Sequence, residues 1–561
     1  MLDLVIRGGT LLDGSGGERF SGDVGVQDGR IVAVGTVTER GRRELDARGL
    51  LVTPGWVDVH THYDGQATWD SLISPSCWHG VTTAVMGNCG VGFAPVKPGT
   101  HDYLIKLMEG VEDIPGTVLW EGVQWAWESF PEYLDALASK PRAIDVAAQV
   151  PHAALRFYVM GERGADHSEA PTPAEIDAMG TIARDAVRAG AIGFTTSRTK
   201  NHRASDGRFT PSLSAPHDEL VGIARRMGEA GKGVFEIVSD FAGRDQEWEM
   251  FREMIRVSGR PASISLAQAD QSPDSFRGAL AQLDAANAAG LRFKAQVPAR
   301  AIGVMLGFEA SLNPFCGHPS YQELAKLDPQ ARLAKLRDPA VRAKLLAEKC
   351  AAPGLAMLVS AFDKIFRTGD YEPTAEQSCA AEAKRRGVAP EGLAYDWLLE
   401  NDGRALLYRP LLNYANYNLD ATWEMLQHPH VVPGLGDGGA HVGLISDASF
   451  PTFLISHWAK DRTRGPKLAL EKLVKAQSAD TAAIVGMTDR GRIAVGMKAD
   501  LNVIDFDQLG VLAPEIAYDL PTGSKRLIQR ARGYVATVCS GAVTFEHGES
   551  TGALPGRLVR S

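Results

Sequence analysis

The chain has 561 residues, 44% of them hydrophobic and 23% charged, with a formal net charge of -9. That length exceeds one ordinary core and predicts at least two structural units. The mildly acidic balance excludes the basic footprint of a nucleic-acid binder and a polybasic membrane patch.

Residues 3–55 read as short strands joined by turns. Leu4-Val5-Ile6 runs into Gly8-Gly9, and Asp23-Val24-Gly25-Val26 runs into Asp28-Gly29. Asp-Gly between alternating apolar residues is a hairpin signal. The C-terminal stretch has the same character in Leu501-Asn502-Val503-Ile504 and Val535-Ala536-Thr537-Val538. Residues 1–55 and 486–561 are therefore expected to build one small β-sandwich.

Between them, residues 56–485 alternate strands with helices. The strands are expected at Trp56-Val57, Val81 to Met86, Ile144 to Val150, Ala191 to Thr195, Gly233 to Val238, Ser263 to Ala267, Arg292 to Val297 and His430 to Gly436. Helices are expected at Pro173 to Ala189, with Thr172 as cap and Pro173 at the first position, and at Glu219 to Ala230. About eight strands with helical crossovers indicate an α/β fold, a (β/α)8 TIM-like barrel. Residues 320–400 are helical and charged, with a helix over Arg332 to Lys349, and read as an insertion beside the barrel mouth. No Gly-x-Gly-x-x-Gly opens a helix after a strand, which disfavours a dinucleotide fold.

Functional groups of a barrel gather at the C-terminal ends of its strands. The first strand leads into His60-Thr61-His62, where residues i and i+2 share a face and two imidazoles point together as a metal-ligand pair. The second ends at Gly87-Asn88-Cys89-Gly90, with a thiol in a Gly-flanked turn. The last ends at Gly436-Asp437-Gly438, where a carboxylate is placed to bind metal and to take a proton from water. Arg198 and Lys200, in the basic segment after the fourth strand, are candidate holders of a substrate carboxylate. His152 and His441 are candidate substrate contacts at the mouth. Tyr414 and Tyr417 are read as either pocket lining or core.

These motifs resemble the metal-dependent amidohydrolase superfamily, and most of all its N-acyl-D-amino-acid deacylase (D-aminoacylase) branch. The resemblance spans nearly the whole chain, from Leu4-Val5-Ile6-Arg7-Gly8-Gly9-Thr10 through Pro54-Gly55-Trp56-Val57-Asp58-Val59-His60-Thr61-His62 to Gly496-Met497-Lys498-Ala499-Asp500-Leu501. Gly87-Asn88-Cys89-Gly90 is its most branch-specific part. It implies metal ligands at His60, His62, Cys89 and Asp437, Asp437 as general base and acid, one or two Zn2+ ions, and hydrolysis of an amide such as an N-acyl-D-amino acid or a cyclic amide. The branch also places histidines at the ends of the fifth and sixth strands. Here Val238 and Leu266 stand at those positions, and Glu236, Asp240, Gln268 and His441 are the candidate replacements, Glu236 foremost.

A one-metal decarboxylase or lyase on the same barrel, and a catalytically degenerate binding scaffold, are the alternative readings. A small-molecule substrate is expected, with no nucleic acid and no membrane as partner. Large acidic barrels with an appended β-unit often associate, so a homo-oligomer is also considered. Six cysteines without a CxxC pair, and a short charged N-terminal run, are those of a cytoplasmic protein.

Overall fold

The computed structural model describes residues 1–241 and 244–561. Eight parallel strands form the barrel: β1 (Trp56–Asp58), β2 (Val81–Met86), β3 (Asp145–Pro151), β4 (Gly193–Arg198), β5 (Val234–Ser239), β6 (Ala262–Ser265), β7 (Phe293–Val297) and β8 (Val431–Pro433). They lie in sequence order, and a parallel bridge between Thr61 and Gly438 joins the first strand to the last. The pattern follows from burial on both faces. Every residue of β2 and β3 is buried, as expected of parallel strands sandwiched between a packed interior and outer helices.

The helix α2 (Pro173–Ala189) spans the expected residues, and its N-terminus carries the full reciprocal cap between Thr172 and Glu175. The preceding helix that matters for the site is α1 (His101–Glu112).

The two ends of the chain meet in one nine-stranded sheet. Leu51–Pro54 pairs antiparallel with Leu501–Ile504, and that register is where the N-terminal strands join the C-terminal ones. Its apolar face forms a cluster of its own around Val24, Val26, Leu501 and Val538. No helix among the described residues is long and apolar enough to cross a membrane.

The insertion differs from expectation in two ways. The single helix over Arg332 to Lys349 is two helices, Pro329–Leu336 and Pro339–Ala347. Proline clashes with continuation of a helix but suits its first turn, and Asp338 caps the second helix through the Ala340 N–H. The excursion also begins and ends outside residues 320–400, because Ile302–Leu306 and Leu407–Leu412 pair antiparallel and Phe366–Arg367 joins them. It has its own apolar core around Phe308, Phe315 and Tyr395. Tyr414 is core: it is buried, and its hydroxyl donates to the Pro373 carbonyl (2.5 Å).

Candidate metal centre

The site starts from strand geometry. Asp58, His60 and His62 alternate out of the end of β1 and share one face. Both imidazoles are buried. His60 donates from Nδ1 to Gln296 Oε1 (2.8 Å), and Gln296 in turn donates to Ser263 Oγ (3.0 Å). His62 Nδ1 faces Glu112 Oε1 at 3.3 Å, off the linear direction of a hydrogen bond, so both atoms lack a well-aligned partner. The Nε2 atoms are left facing a common point. Asp437 Oδ1 lies 3.4 Å from His60 Nε2 and 3.6 Å from His62 Nε2. Cys89 Sγ is 3.3 Å from His60 Nε2. Ligand atoms of His60, His62 and Cys89 all fall within 4.8 Å of one another.

The turns that carry these groups are strained where they must be. Cys89 has φ 55° and Asp437 φ 46°, both left-handed, a conformation that costs a residue with a side chain roughly 1–2 kcal/mol. Gly87, with φ 83°, admits no side chain, since a Cβ there would sit 2.4 Å from the Gln149 carbonyl oxygen. The Cys89 N–H donates to Glu236 Oε2 (3.0 Å), which fixes the turn.

The electrostatics are those of a site short of positive charge. Burial pushes Glu236 up to about 8, and Glu112 and Asp58 up to about 7. Burial also pushes the Cys89 thiol up, with the Glu236 charge adding to it. Burial pulls His60 down to about 4. His62 goes the other way: burial lowers it, but Glu112 and Asp437 outweigh burial and raise it to about 9. Burial opposes ionisation of Asp437, yet the His62 and His60 imidazoles facing it hold it well below the usual carboxylate range. The surrounding carboxylates thus favour positive charge at the His62 position. A site of two imidazoles, a thiol and a carboxylate that draws in a positive charge fits a divalent ion.

A profile of the amidohydrolase family matches residues 43–545. The chain belongs to the amidohydrolase family. This amidohydrolase is 34% identical to a D-aminoacylase of Alcaligenes xylosoxydans xylosoxydans over 230 residues, a stretch that is 41% of this chain and 43% of that enzyme. It is 27% identical to an N-acyl-D-glutamate deacylase of the same organism over 568 residues, which is 100% of this chain and 96% of that enzyme. Its fold is that of an N-acyl-D-glutamate deacylase from Bordetella bronchiseptica solved with zinc and a phosphonate inhibitor, with a TM-score of 0.66, 24% identity and all of both chains covered.

Four residues read from the sequence as site candidates are placed elsewhere by the fold of this amidohydrolase. His152 does not reach the mouth; it is buried between Thr196 Oγ1 (2.9 Å) and Glu219 Oε1 (3.0 Å). Arg198 turns its guanidinium to Glu247 (2.6 Å) and to the Ala215 carbonyl (2.6 Å). Lys200 contributes its backbone N–H to Asp240 (2.8 Å) while its side chain is exposed. Glu236 stands beside the ligand group instead of within it, because its two oxygens accept from Cys89 N–H and Ser265 Oγ, the latter at 3.3 Å. Gln268 is likewise occupied, accepting from the Ala415 N–H and donating to the Pro273 carbonyl. His441 does line the pocket, with Nε2 3.6 Å from Glu112 Oε2.

Three site residues escape sequence reading. Glu112, the last residue of α1, sits between His62 and His441 and carries no local motif. Gln296, on β7, is a buried polar residue two positions after Lys294 on the same strand, and nothing local marks it as a site residue. His202 lies within the basic segment after β4, with Nδ1 2.8 Å from Ser197 Oγ, and burial takes it down to about 3.

Proposed function

We propose that this amidohydrolase hydrolyses an amide C–N bond at a centre holding a single divalent ion, with zinc as the expected metal. His60, His62, Cys89 and Asp437 would hold it. The observation that carries the reading is the convergence of both Nε2 atoms on Asp437 Oδ1 while both Nδ1 atoms face side-chain acceptors. Such outer partners set imidazole orientation in metal sites. Metal-dependent amide hydrolysis is the activity that the family and the deacylase relatives support. When bound, the ion supplies Lewis acidity toward the scissile carbonyl and toward water.

The chain's own groups do the rest. Asp437, ionised and facing the cavity, accepts a proton from water and returns it to the departing nitrogen. His202 and His441, both pulled down by burial, are neutral rings at the mouth that hydrogen-bond the substrate without adding charge. Val238 and Leu266 line the pocket where β5 and β6 open into it; neither side chain coordinates, and they keep that side of the centre dry. A single ion is the expected count, since Val238 and Leu266 carry no ligand atom and Glu236 accepts from the Cys89 N–H and Ser265 Oγ. The six free cysteines support a reducing, cytoplasmic setting.

Elemental analysis of protein purified without chelators tests the centre. About one zinc per chain is expected, with loss of the metal in Cys89→Ala. Two ions per chain would overturn the single-ion reading, and a metal-free, active protein would overturn metal dependence. Turnover is scored as amine released from an amide library.

Glu112→Gln removes the charge behind His62 and is expected to weaken metal affinity about 10- to 100-fold. Competition with a chromogenic chelator measures it. Unchanged affinity would mean that His62 is oriented by Asp437 alone.

A further inference from the structure

We propose that the substrate is an uncharged amide with a bulky apolar arm, and that N-acyl amino acids, which carry a carboxylate, are poor ligands of this pocket. The proposal deepens the amide-hydrolase reading and rests on it. The cavity over the centre has a volume of about 630 Å³, within the range that holds a drug-sized ligand. Part of its lining is apolar: Val238, Leu266, Phe276, Ile302 and Leu412 supply a wall. At the rim Phe241 stacks on the buried Trp248, rings 4.5 Å apart and 14° from parallel. Such a wall takes an aromatic or branched aliphatic group, whose burial is the main source of affinity it offers.

The charges point the same way. The cavity is lined by four carboxylates, Glu112, Asp240, Asp245 and Asp437, and by no lysine or arginine among the described residues. Asp240 is fixed in place by the Thr199 hydroxyl (2.6 Å) and the Lys200 N–H (2.8 Å). Arg198, at the end of β4, is paired with Glu247. With a divalent ion held by Cys89 and Asp437, Asp240 and Asp245 would remain as negative charge in the cavity lining, with no salt bridge among the described residues. A substrate carboxylate entering there meets repulsion instead of the guanidinium fork that carboxylate recognition uses. Selection against a charged competitor by like charge is a recurring means of specificity. The polar groups that remain, among them Asn201, Ser272 and Gln282, suit a neutral amide.

Three compounds of one skeleton test this on the zinc-loaded protein: N-acetyl-2-phenylethylamine, N-acetyl-D-phenylalanine and N-acetyl-L-phenylalanine, the last two differing from the first by a carboxylate. Binding is read by calorimetry and turnover by released amine. The uncharged amide is expected to bind about tenfold or more tightly than either acid. The double variant Asp240→Asn with Asp245→Asn is expected to close most of that gap by improving the acids far more than the uncharged amide. Equal or tighter binding of either acid, no binding of the uncharged amide, or a gap that the double variant leaves intact would overturn the proposal. If the binding order holds but no amine is released from any of the three, the pocket inference stands and the amide-hydrolase reading is what fails.

Discussion

Asparagine in place of Asp437 is expected to lower kcat/KM by about 10³-fold or more, within the range that loss of a positioned acid–base group and metal ligand produces. The substitution is chosen to leave the backbone alone. Residue 437 has φ 46°, and asparagine is among the few residues that tolerate the left-handed region. The shape of the side chain is kept, so the turn between β8 and Gly438 should persist and the thermal midpoint should move little. What is lost is the charge that faces His60 Nε2 at 3.4 Å and His62 Nε2 at 3.6 Å. Steady-state kinetics and elemental analysis separate the two roles of the residue. Loss of rate with the ion retained assigns Asp437 to proton handling, and loss of both assigns it to holding the ion as well. A fall of less than about tenfold with metal retained would place the proton on another group.

The barrel was legible because its strands are buried on both faces. Val81 to Met86 and Ile144 to Val150 are mostly apolar and β-branched or small, and β2 and β3 lie within a residue or two of them. The core of the site was legible for a different reason. His60 and His62 depend only on strand parity, and Cys89 and Asp437 stand in glycine-flanked turns directly after strands. Each is fixed by local backbone chemistry.

What was illegible depends on partners distant in sequence. Glu112 is 50 residues from His62 and ends a helix whose docking nothing local announces. Arg198 and Lys200 counted as basic residues in the right segment, but Glu247, on the helix Arg244–Ser258, captures the Arg198 guanidinium. Glu219 captures His152 in the same way, together with Arg156. A count of charges places a segment; the direction of each side chain is set by the acid it meets after folding. The strands Ile302–Leu306 and Leu407–Leu412 were missed on the same ground, since their pairing spans about a hundred residues and is a non-local contact.

Alanine in place of Asp145 is expected to cost about 3–5 kcal/mol of stability at pH 7, the range for stranding buried partners of a removed charge. Asp145, on β3, is 3% exposed and accepts from Arg490 Nη1 (2.7 Å), from Lys498 Nζ (2.9 Å) and from the Arg557 N–H (2.9 Å). One barrel carboxylate thereby pins three residues of the C-terminal segment. Arg490 is itself 4% exposed, so after the substitution its charge keeps, among the described residues, the half-exposed Asp489 and the Thr83 hydroxyl as direct side-chain partners, with the Asp500 charge nearby. Lys498 fares better, because Asp500 lies 2.6 Å away. The pH dependence has a definite sign. Burial raises the Asp145 carboxyl, but Lys498 and Arg490 outweigh it and leave the folded value below 3.8. A depressed carboxyl contributes stability above its unfolded value and loses it as pH falls toward the folded one. The gap between wild type and Asp145→Ala should therefore be full at pH 7 and should narrow below about pH 4. Urea denaturation at both pH values reads it. A gap under about 1 kcal/mol at pH 7 would mean that Asp489 and Asp500 suffice for both cations, and that the β domain is held to the barrel by its apolar contacts and by the backbone pairing of the C-terminal residues with β3.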